Sequence, residues 1–250
     1  MAKKANAKLA ARKQPGVTKP LYAQVEEIIR QRLIDNYWNP GEALPSEMQL
    51  AAELGVSQGT VRKALNDMVA ENLLVRRQGR GTFVSEHTER RALFLYFNLV
   101  GADGARTMPV SRVLSCEHRK ATPDERARLE LAAGAKIVTV RRVRSLLGEP
   151  AIVDQVSVPQ ALFPNLGGDV KLPENLYRFY QGEYGITIAK AEERVRAVSA
   201  TPEEADLLGL EPGAPLLEID RIALTLDKRP VEWRLSRCNT GDFTYVAERG

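Results

Sequence analysis

The stretch from Leu44 to Val84 constrains the fold more than any other part of this 250-residue chain. It reads LPSEMQLAAELGVSQGTVRKALNDMVAENLLVRRQGRGTFV. Ser46 is suited to cap a first helix, with Gln49 returning a hydrogen bond to the Ser46 amide as in a capping box. Gly55 tolerates the left-handed backbone that ends many helices, and Ser57 can cap a second helix. The pattern predicts two helices joined by a tight turn.

The second helix should bury one face and leave the other free. Apolar residues recur at helical spacing and are predicted to point inward, namely Val61, Ala64, Leu65, Met68 and Val69. The outer face of the first turns would carry Gln58, Gly59, Thr60, Arg62 and Lys63, and amide, hydroxyl and guanidinium groups are types that contact base edges and phosphates. Leu73 to Arg77 and Thr82 to Ser85 read as short strands around a glycine-rich, cationic turn. Two helices and a ribbon predict a winged helix.

Three blocks of this stretch closely resemble the DNA-binding domain of the GntR family of bacterial transcription regulators. They are LPSE, LAAELGVSQGTVRKAL and RRQGRGTFV, within a similarity that covers roughly Pro20 to Ser85. Relatives often carry Arg where this chain has Met48 and Gln58, so we expect an operator whose bases differ from the commonest ones. The residues predicted to contact DNA are Ser46, Glu47, Ser57, Gln58, Thr60, Arg62, Lys63, Arg77, Gln78, Gly79 and Arg80. The simpler alternative is a solvated basic surface.

Charge supports a phosphate-facing N-terminal part. The net charge is +4, and residues 1–87 hold 13 Lys or Arg against 9 Asp or Glu, whereas the remainder is balanced. Residues 1–19 carry six of these cations and no acid, which predicts a disordered basic arm. No apolar run has the roughly 20 residues that span a bilayer, and the N-terminus lacks a secretory core, so we expect a cytoplasmic protein. Two cysteines without metal-type spacing predict neither a disulfide scaffold nor a metal site, and no cofactor is expected.

The rest of the chain reads as strands with intervening helices. We predict domains at 20–85 and 92–250, joined by a polar linker at 86–91 that includes His87, interpreted as a surface or strand residue. Strands are expected at 93–100, 110–121, 137–147, 151–158, 187–200, 215–226, 231–238 and 244–247, and short helices from 122 to about 134, over 174–182 and from 201.

Two segments of the second domain look alike. TPDERARLELAAGAKIVTVRRVRSLLGEPAIVDQV and TPEEADLLGLEPGAPLLEIDRIALTLDKRPVEWRL each open with a Thr-Pro-acid helix start and continue into a hairpin. This internal repeat predicts a pseudo-symmetric antiparallel sheet with helices on one side.

The second domain is similar to the UTRA domain, the effector-binding domain of the HutC subgroup of GntR regulators. The similar pieces are VPQALFPNL, NLYRFYQGEYGI and the stretch from PGAPLLEIDRIAL to KRPVEWR. The resemblance implies a chorismate-lyase-like α+β fold without lyase activity, a ligand pocket and a homodimer.

Arg142 and Arg144 alternate along one predicted strand, so both side chains share a face and suit a phosphate or carboxylate. The resemblance points to the same two residues for anions and to Glu232 for ligand hydroxyls. Asn175 stands where relatives carry Ser, and Cys238 where many carry Tyr, so the predicted effector site departs from the usual phosphosugar pattern. Each of the charged residues has a plainer reading as a solvated strand residue.

No catalytic constellation is visible, and no catalytic residue is predicted. The chain is therefore expected to be a ligand-responsive transcription regulator, most simply a repressor that a small anionic metabolite releases from a pseudo-palindromic DNA operator. The alternatives are an activator of the same architecture, an enzyme of lyase-like fold with a DNA-binding appendage, and a winged helix that binds only protein or RNA.

Overall fold

The computed structural model describes residues 19–101, 104, 106–167 and 172–247. These residues form two compact units that divide between Glu86 and His87. The predicted basic arm lies outside the described residues except for Lys19, and the predicted domain limits and linker stay predictions. None of the described helices combines the length and the apolar character needed to cross a bilayer.

The first unit has the two predicted helices and the predicted two-stranded ribbon, preceded by a further helix. Helix α1 begins after Pro20, α2 begins at the predicted Ser46 cap, and the strands of the ribbon pair antiparallel. The elements are α1 (Leu21–Ile34), α2 (Glu47–Leu54), α3 (Gln58–Ala70), β1 (Leu74–Arg77) and β2 (Gly81–Val84).

One apolar stripe from each helix forms the core of this unit. Fully buried side chains include Ile29 of α1, Leu50 of α2 and Leu65 of α3. Trp38, in the loop after α1, is also buried and contributes to this core. Burial of aliphatic side chains of this size contributes roughly 1.5–3 kcal/mol each, so the packing fixes how α3 is presented to solvent.

The second unit is built on a six-stranded antiparallel sheet in the order β4-β5-β6-β9-β8-β7, with β3 and β10 paired separately. Its elements are α4 (Glu89–Leu95), β3 (Leu99–Gly101), β4 (Val110–Lys120), α5 (Pro123–Arg128), β5 (Lys136–Leu146), β6 (Glu149–Pro159), α6 (Leu176–Tyr184), β7 (Ile188–Ser199), α7 (Pro202–Leu208), β8 (Pro215–Thr225), β9 (Pro230–Cys238) and β10 (Phe243–Tyr245).

The sheet has the predicted internal symmetry. The order β4, α5, β5, β6 recurs as β7, α7, β8, β9, and the two halves meet where β6 pairs with β9. Thr122 and Thr201 each cap the short helix of their half through a complete capping box, with Pro at its start. The two matched sequences therefore fold into equivalent elements.

Helices pack on both faces of this sheet, so the predicted one-sided arrangement is wrong. Side chains alternate between faces along each strand. On β5, Val138 and Val140 pack with Tyr180 of α6, whereas Val143 packs with Leu208 of α7 on the other face. Most residues of β5 and β6 are buried whichever face they are on, and a pattern of this kind indicates cover on both sides.

The predicted strand at 93–100 is also wrong in its first half. Residues Glu89–Leu95 form α4, and only Leu99–Gly101 is a strand. Thr88 accepts a hydrogen bond from the Arg91 amide and Glu89 lies in the first turn, so a capped start favours the helix. The helix predicted to end near residue 134 ends earlier, at Arg128.

Candidate nucleic-acid interface and ligand cleft

Local hydrogen bonds set the helix-turn-helix as the sequence predicts. The Ser46 hydroxyl accepts from the Gln49 amide, and the Ser46 amide donates to Gln49 Oε1 at 2.9 Å. Gly55 ends α2 in the left-handed region at φ 69°. The Ser57 hydroxyl then accepts from the Thr60 amide at 3.2 Å and starts α3. Caps of this kind contribute about 1 kcal/mol each, so the angle between the two helices is specified locally.

The outer side of α3 is open to solvent. We call this side the reading face and define it by the predicted residues Gln58, Gly59, Thr60, Arg62 and Lys63. Four of these residues are exposed and Thr60 is half-buried. The Arg62 side chain is 57% exposed, while the opposite side of the helix, with Val61 and Ala64, is buried. A free, polar helical face is the requirement for entering a major groove.

Glu47, at the start of α2, holds three of the polar side chains around this face. Its carboxylate accepts from Arg62 Nε at 2.9 Å, from an Arg76 terminal nitrogen at 2.9 Å and from Gln58 Nε2 at 3.3 Å. Burial alone would raise the pKa of the Glu47 carboxyl, but hydrogen bonds from Arg62, Arg76 and Gln58 lower it below its ordinary value. Glu47 thus lies beside the reading face as an anion that orients its donors.

Lys63 is committed to neighbours within its own unit. Its ammonium lies 3.1 Å from an Asp67 carboxylate oxygen and 4.4 Å from the centre of the Tyr22 ring. The hydrogen bond to Asp67 raises the pKa of the Lys63 amine. Asp67 therefore offsets the charge of Lys63, as Glu47 offsets that of Arg62.

The ribbon presents an exposed cationic tip. Gln78, Gly79 and Arg80 form the turn, with Gly79 at φ 68°, and Arg77 lies 4.5 Å from the centre of the Phe83 ring. Arg76 was not among the predicted DNA contacts, although it joins the ribbon to Glu47. The sequence could have indicated a separate role for Arg76. Arg76 and Arg77 are adjacent on a strand, so their side chains point to opposite sides and contact different neighbours.

The second unit contains a small cleft, which we call the ligand cleft. Its volume is about 40 Å³, and it lies between the sheet and the segments around α4 and α6. Its polar lining comes from Arg144, Arg221, Arg234, Glu174 and Asn175, with Tyr96 and Tyr177 among the apolar walls. Three guanidinium groups in so small a space favour an anionic ligand.

Arg142 and Arg144, predicted as a pair, have different environments. Both side chains are on the same face, as expected, and both approach Asp154, which is fully buried. Arg142 donates to Asp154 Oδ2 from Nε at 3.1 Å and from a terminal nitrogen at 2.9 Å, and it does not line the cleft. Arg144 lines the cleft and lies 3.5 Å from the same oxygen.

Arg144 is the less compensated of the two cations. Burial and the nearby Arg142 lower the pKa of its guanidinium to about 9, against the opposing effect of Asp154. Its Nε is buried and has no hydrogen-bond partner among the residues that the structure describes. An incoming anion would supply the missing partner.

Glu232 is fully buried and already accepts several hydrogen bonds. Its donors are the Tyr177 hydroxyl at 3.1 Å, the Tyr180 hydroxyl at 2.9 Å and the Arg234 guanidinium at 2.9–3.0 Å. It does not line the cleft, and it positions Arg234, which does. Its predicted contact with ligand hydroxyls stays a prediction.

The other two predicted effector residues are also placed by the structure. Asn175 lines the cleft, and its amide caps α6 by accepting from the Arg178 amide and donates to the His87 carbonyl oxygen. Cys238 is fully buried in a cluster that includes Leu99 and Phe243, away from the lining. Burial raises the pKa of its thiol.

Sequence reasoning missed Arg221 and Arg234 of the cleft. The internal repeat could have found Arg221, because β5 and β8 are equivalent strands and Arg221 occupies in β8 the place of Arg142 in β5. Arg221 donates through Nε to Glu193 at 2.6 Å. Among the described ranges there is no group of three His, Cys, Asp or Glu residues that could hold a metal ion.

Comparison with known families and proteins identifies both units. Residues 21–84 match "Bacterial regulatory proteins, gntR family", and residues 105–244 match the UTRA domain. The chain is 31% identical over 234 residues to the mannosyl-D-glycerate transport/metabolism system repressor MngR of Escherichia coli, covering 92% of this chain and 97% of that protein. It is 33% identical over 203 residues to the histidine utilization repressor of Pseudomonas putida, covering 81% of each.

A solved structure agrees with these relatives. The ligand-binding domain of a protein from Bordetella bronchiseptica assigned to the GntR family superposes with a TM-score of 0.57 at 35% identity, covering 63% of this chain and 98% of that one. The family and these relatives are transcription regulators rather than enzymes. The chain therefore belongs to the GntR family, with a winged helix followed by a UTRA domain, and is a ligand-responsive, DNA-binding transcription regulator.

Proposed function

We propose that the chain is a homodimeric repressor that leaves a pseudo-palindromic operator when a small anionic metabolite binds in the ligand cleft. The relatives MngR and the histidine utilization repressor are both named as repressors, which supports the direction of control. Two copies of a winged helix match two half-sites of a palindrome. The proposed place of action is the cytoplasm, where bacterial DNA lies.

The observation that carries the DNA-binding half is the arrangement of Arg62. Its Nε donates a hydrogen bond to Glu47, and the two terminal nitrogens of the guanidinium take no part in that bond. Those nitrogens are the pair that contacts a guanine edge or a phosphate bidentately. Because Glu47 also holds Arg76 and Gln58, the donors of α3 and of the ribbon are ordered before DNA arrives. Ordering them in advance lowers the entropy cost of binding.

The cationic lining of the ligand cleft carries the effector half. Arg144 has a nitrogen without a hydrogen-bond partner among the described residues, and Arg221 and Arg234 each bring a further guanidinium to the same space. The cleft volume of about 40 Å³ holds only a few waters, so a metabolite requires its walls to move. A ligand that binds the opened form better shifts the population toward it, and in the proposal that form has the lower operator affinity.

Arg62→Ala tests the DNA-binding half. A DNA duplex is first selected from a random pool by the wild-type chain, and binding is then measured by fluorescence anisotropy at several salt concentrations. We expect a loss of about 1–3 kcal/mol, or roughly 5- to 150-fold in Kd. Arg194→Ala, on an exposed position of β7, makes the same charge change in the other unit and should leave affinity nearly unchanged. Equal effects of the two substitutions would refute the assigned face.

The same titrations separate two roles of Arg62. A phosphate contact predicts that Arg62→Ala weakens all duplexes alike and lowers the salt slope by about one. A base contact predicts relaxed preference at one position of each half-site instead. Dimerisation is checked by sedimentation, where the proposal requires twice the chain mass of 27.7 kDa.

A further inference from the structure

Glu174 places an unused acceptor in the ligand cleft, among its cations. It comes directly before the Asn175 cap of α6 and lines the cleft. One carboxylate oxygen, Oε1, accepts from the Ser111 amide of β4 at 2.9 Å, which fixes the side chain in place. The other oxygen, Oε2, is buried and has no hydrogen-bond partner in the described part of the chain. Buried acceptors of this kind are normally paired, so the oxygen needs an explanation.

The three arginines that line the cleft do not supply a partner for Glu174 Oε2. Arg221 donates to Glu193 and Arg234 donates to Glu232, so both already have carboxylate partners. Arg144 approaches one carboxylate, that of Asp154 at 3.5 Å, and its Nε has no hydrogen-bond partner among the described residues. The cleft thus contains one unpaired donor and one unpaired acceptor on different side chains.

A ligand with acceptors alone would satisfy only half of this arrangement. Propionate or ethyl phosphate could pair with Arg144, but it would leave Glu174 Oε2 unpaired and bring a second negative charge toward it. A ligand that also carries a hydroxyl or an ammonium group could pair with both. Sites built to hydrogen-bond such a group reject analogues that lack it, because the protein group is then left unpaired.

We propose that Glu174 is a specificity-determining residue, which selects acids that also carry a hydrogen-bond donor, namely hydroxy acids, amino acids or their phosphate counterparts. The donor of the ligand pairs with Glu174 Oε2 while its acidic group pairs with Arg144. The inference rests on the proposed function, in which this cleft binds the anionic effector, and adds the second group that the effector must carry.

The test uses the full chain and matched probes. The carboxylate set is propionate, lactate and alanine, and the phosphate set is ethyl phosphate and 2-aminoethyl phosphate. Affinities are measured by calorimetry and by the shift in melting temperature, which rises when a ligand binds the folded state. We expect a donor-bearing member of at least one set to bind the wild type at least tenfold more tightly than the plain analogue of that set.

Glu174→Gln keeps the shape of the side chain and an oxygen that can accept from the Ser111 amide. In place of Oε2, however, it presents an NH2 group, which is a donor, to the cleft. The expected result is that the tenfold preference falls below threefold while the plain acid binds at least as tightly as before. Glu183→Gln, on an exposed position of α6, is the control and should keep the preference. Melting curves of both variants without ligand confirm that the fold is retained.

The outcomes separate this inference from the proposed function. If propionate, lactate and alanine bind the wild type equally and the two phosphates do the same, the role of Glu174 is overturned and the anion site stands. An unchanged preference in Glu174→Gln also overturns it. If none of the five acids binds, the proposed anion-binding function itself fails, and the inference fails with it.

Discussion

We expect Asp154→Asn to cause a large loss of stability. Asp154 is fully buried, and its charge is the counterpart of Arg142 and Arg144, while Ser236 Oγ donates to Oδ1 at 2.6 Å. Asn keeps the shape of the side chain but removes its negative charge. Arg142, 1% exposed, is then a buried cation without a counter-charge. Removing one partner of such a pair costs about 3–5 kcal/mol.

The expected change in melting temperature follows from the size of the unit. A unit of this length shifts by roughly 2–4 °C for each kcal/mol, so the second unit should melt about 6–20 °C lower. The chain has two tryptophans, Trp38 in the first unit and Trp233 in the second. Fluorescence of Trp233 in a Trp38→Phe background therefore reports the unit that contains Asp154.

The control is Glu203→Gln, which breaks the exposed ion pair with Arg141 at 2.8 Å and should leave the Trp233 transition in place. A shift of less than about 3 °C for Asp154→Asn would refute the reasoning, since it would mean that Arg142 tolerates burial without its partner.

The pH dependence gives a second check on the same residue. Burial alone would raise the pKa of the Asp154 carboxyl, but Arg142 and Arg144 hold it well below its ordinary value. A lowered folded-state pKa stabilises the protein above the unfolded value of about 4, and the contribution is lost as the pH falls toward the folded value. The wild type should therefore lose this stability in acid, and Asp154→Asn should lack that part of the acid dependence.

Two further predictions concern His87 and Gly167. His87 is buried and lies in no helix or strand, so its predicted place as a surface or strand residue is wrong. Burial, together with the nearby charge of Arg91, lowers the pKa of His87 to about 3. The free energy of unfolding therefore has the full contribution of His87 above about pH 6.5. Below that pH it decreases by about 1.4 kcal/mol for each pH unit, until the pH nears 3. Urea unfolding at pH 7 and pH 5 should show this slope in the wild type and a flatter one in His87→Gln, and equal slopes would contradict it. Gly167→Ala would place a Cβ 2.0 Å from Cys116 Sγ at a backbone φ of +83°, and we expect a loss of about 1–3 kcal/mol in the same assay. Gly134→Ala, at φ +79° with no atom within 4 Å of the added carbon, should cost less, and equal losses would show that the contact with Cys116 does not matter.

The winged-helix unit could be predicted almost completely because its signals are local. Ser46, Gly55 and Ser57 each act within a few residues of their own position, and the apolar stripe of α3 is read directly from spacing. The same local chemistry found both Thr-Pro helix starts in the second unit. It failed at residues 93–95, where a short apolar run fits a strand or a helix and the Thr88 cap decides.

The ligand cleft was harder to predict because its chemistry depends on pairing across strands. Nothing in the sequence around Arg142 and Arg144 shows that Asp154 lies opposite Arg142 in the β5–β6 register and takes its charge. The same holds for Glu232, which looks available in sequence and is saturated by Tyr177 and Tyr180. Contacts between residues that are 10 to 55 positions apart in the sequence decide which charges remain free for a ligand.

In the proposed interface, the carboxylate that Arg62 and Arg76 share at Glu47 would make operator recognition cooperative between two parts of the protein that are distant in sequence. A base change that displaces Arg62 disturbs the anchor on which Arg76 also depends. Affinity losses from an operator change under the helix and another under the ribbon should then fail to add. A model that adds the free-energy changes of single operator positions would then give the wrong affinity for double base changes. The difference between the added and the measured free energies would measure the coupling through Glu47.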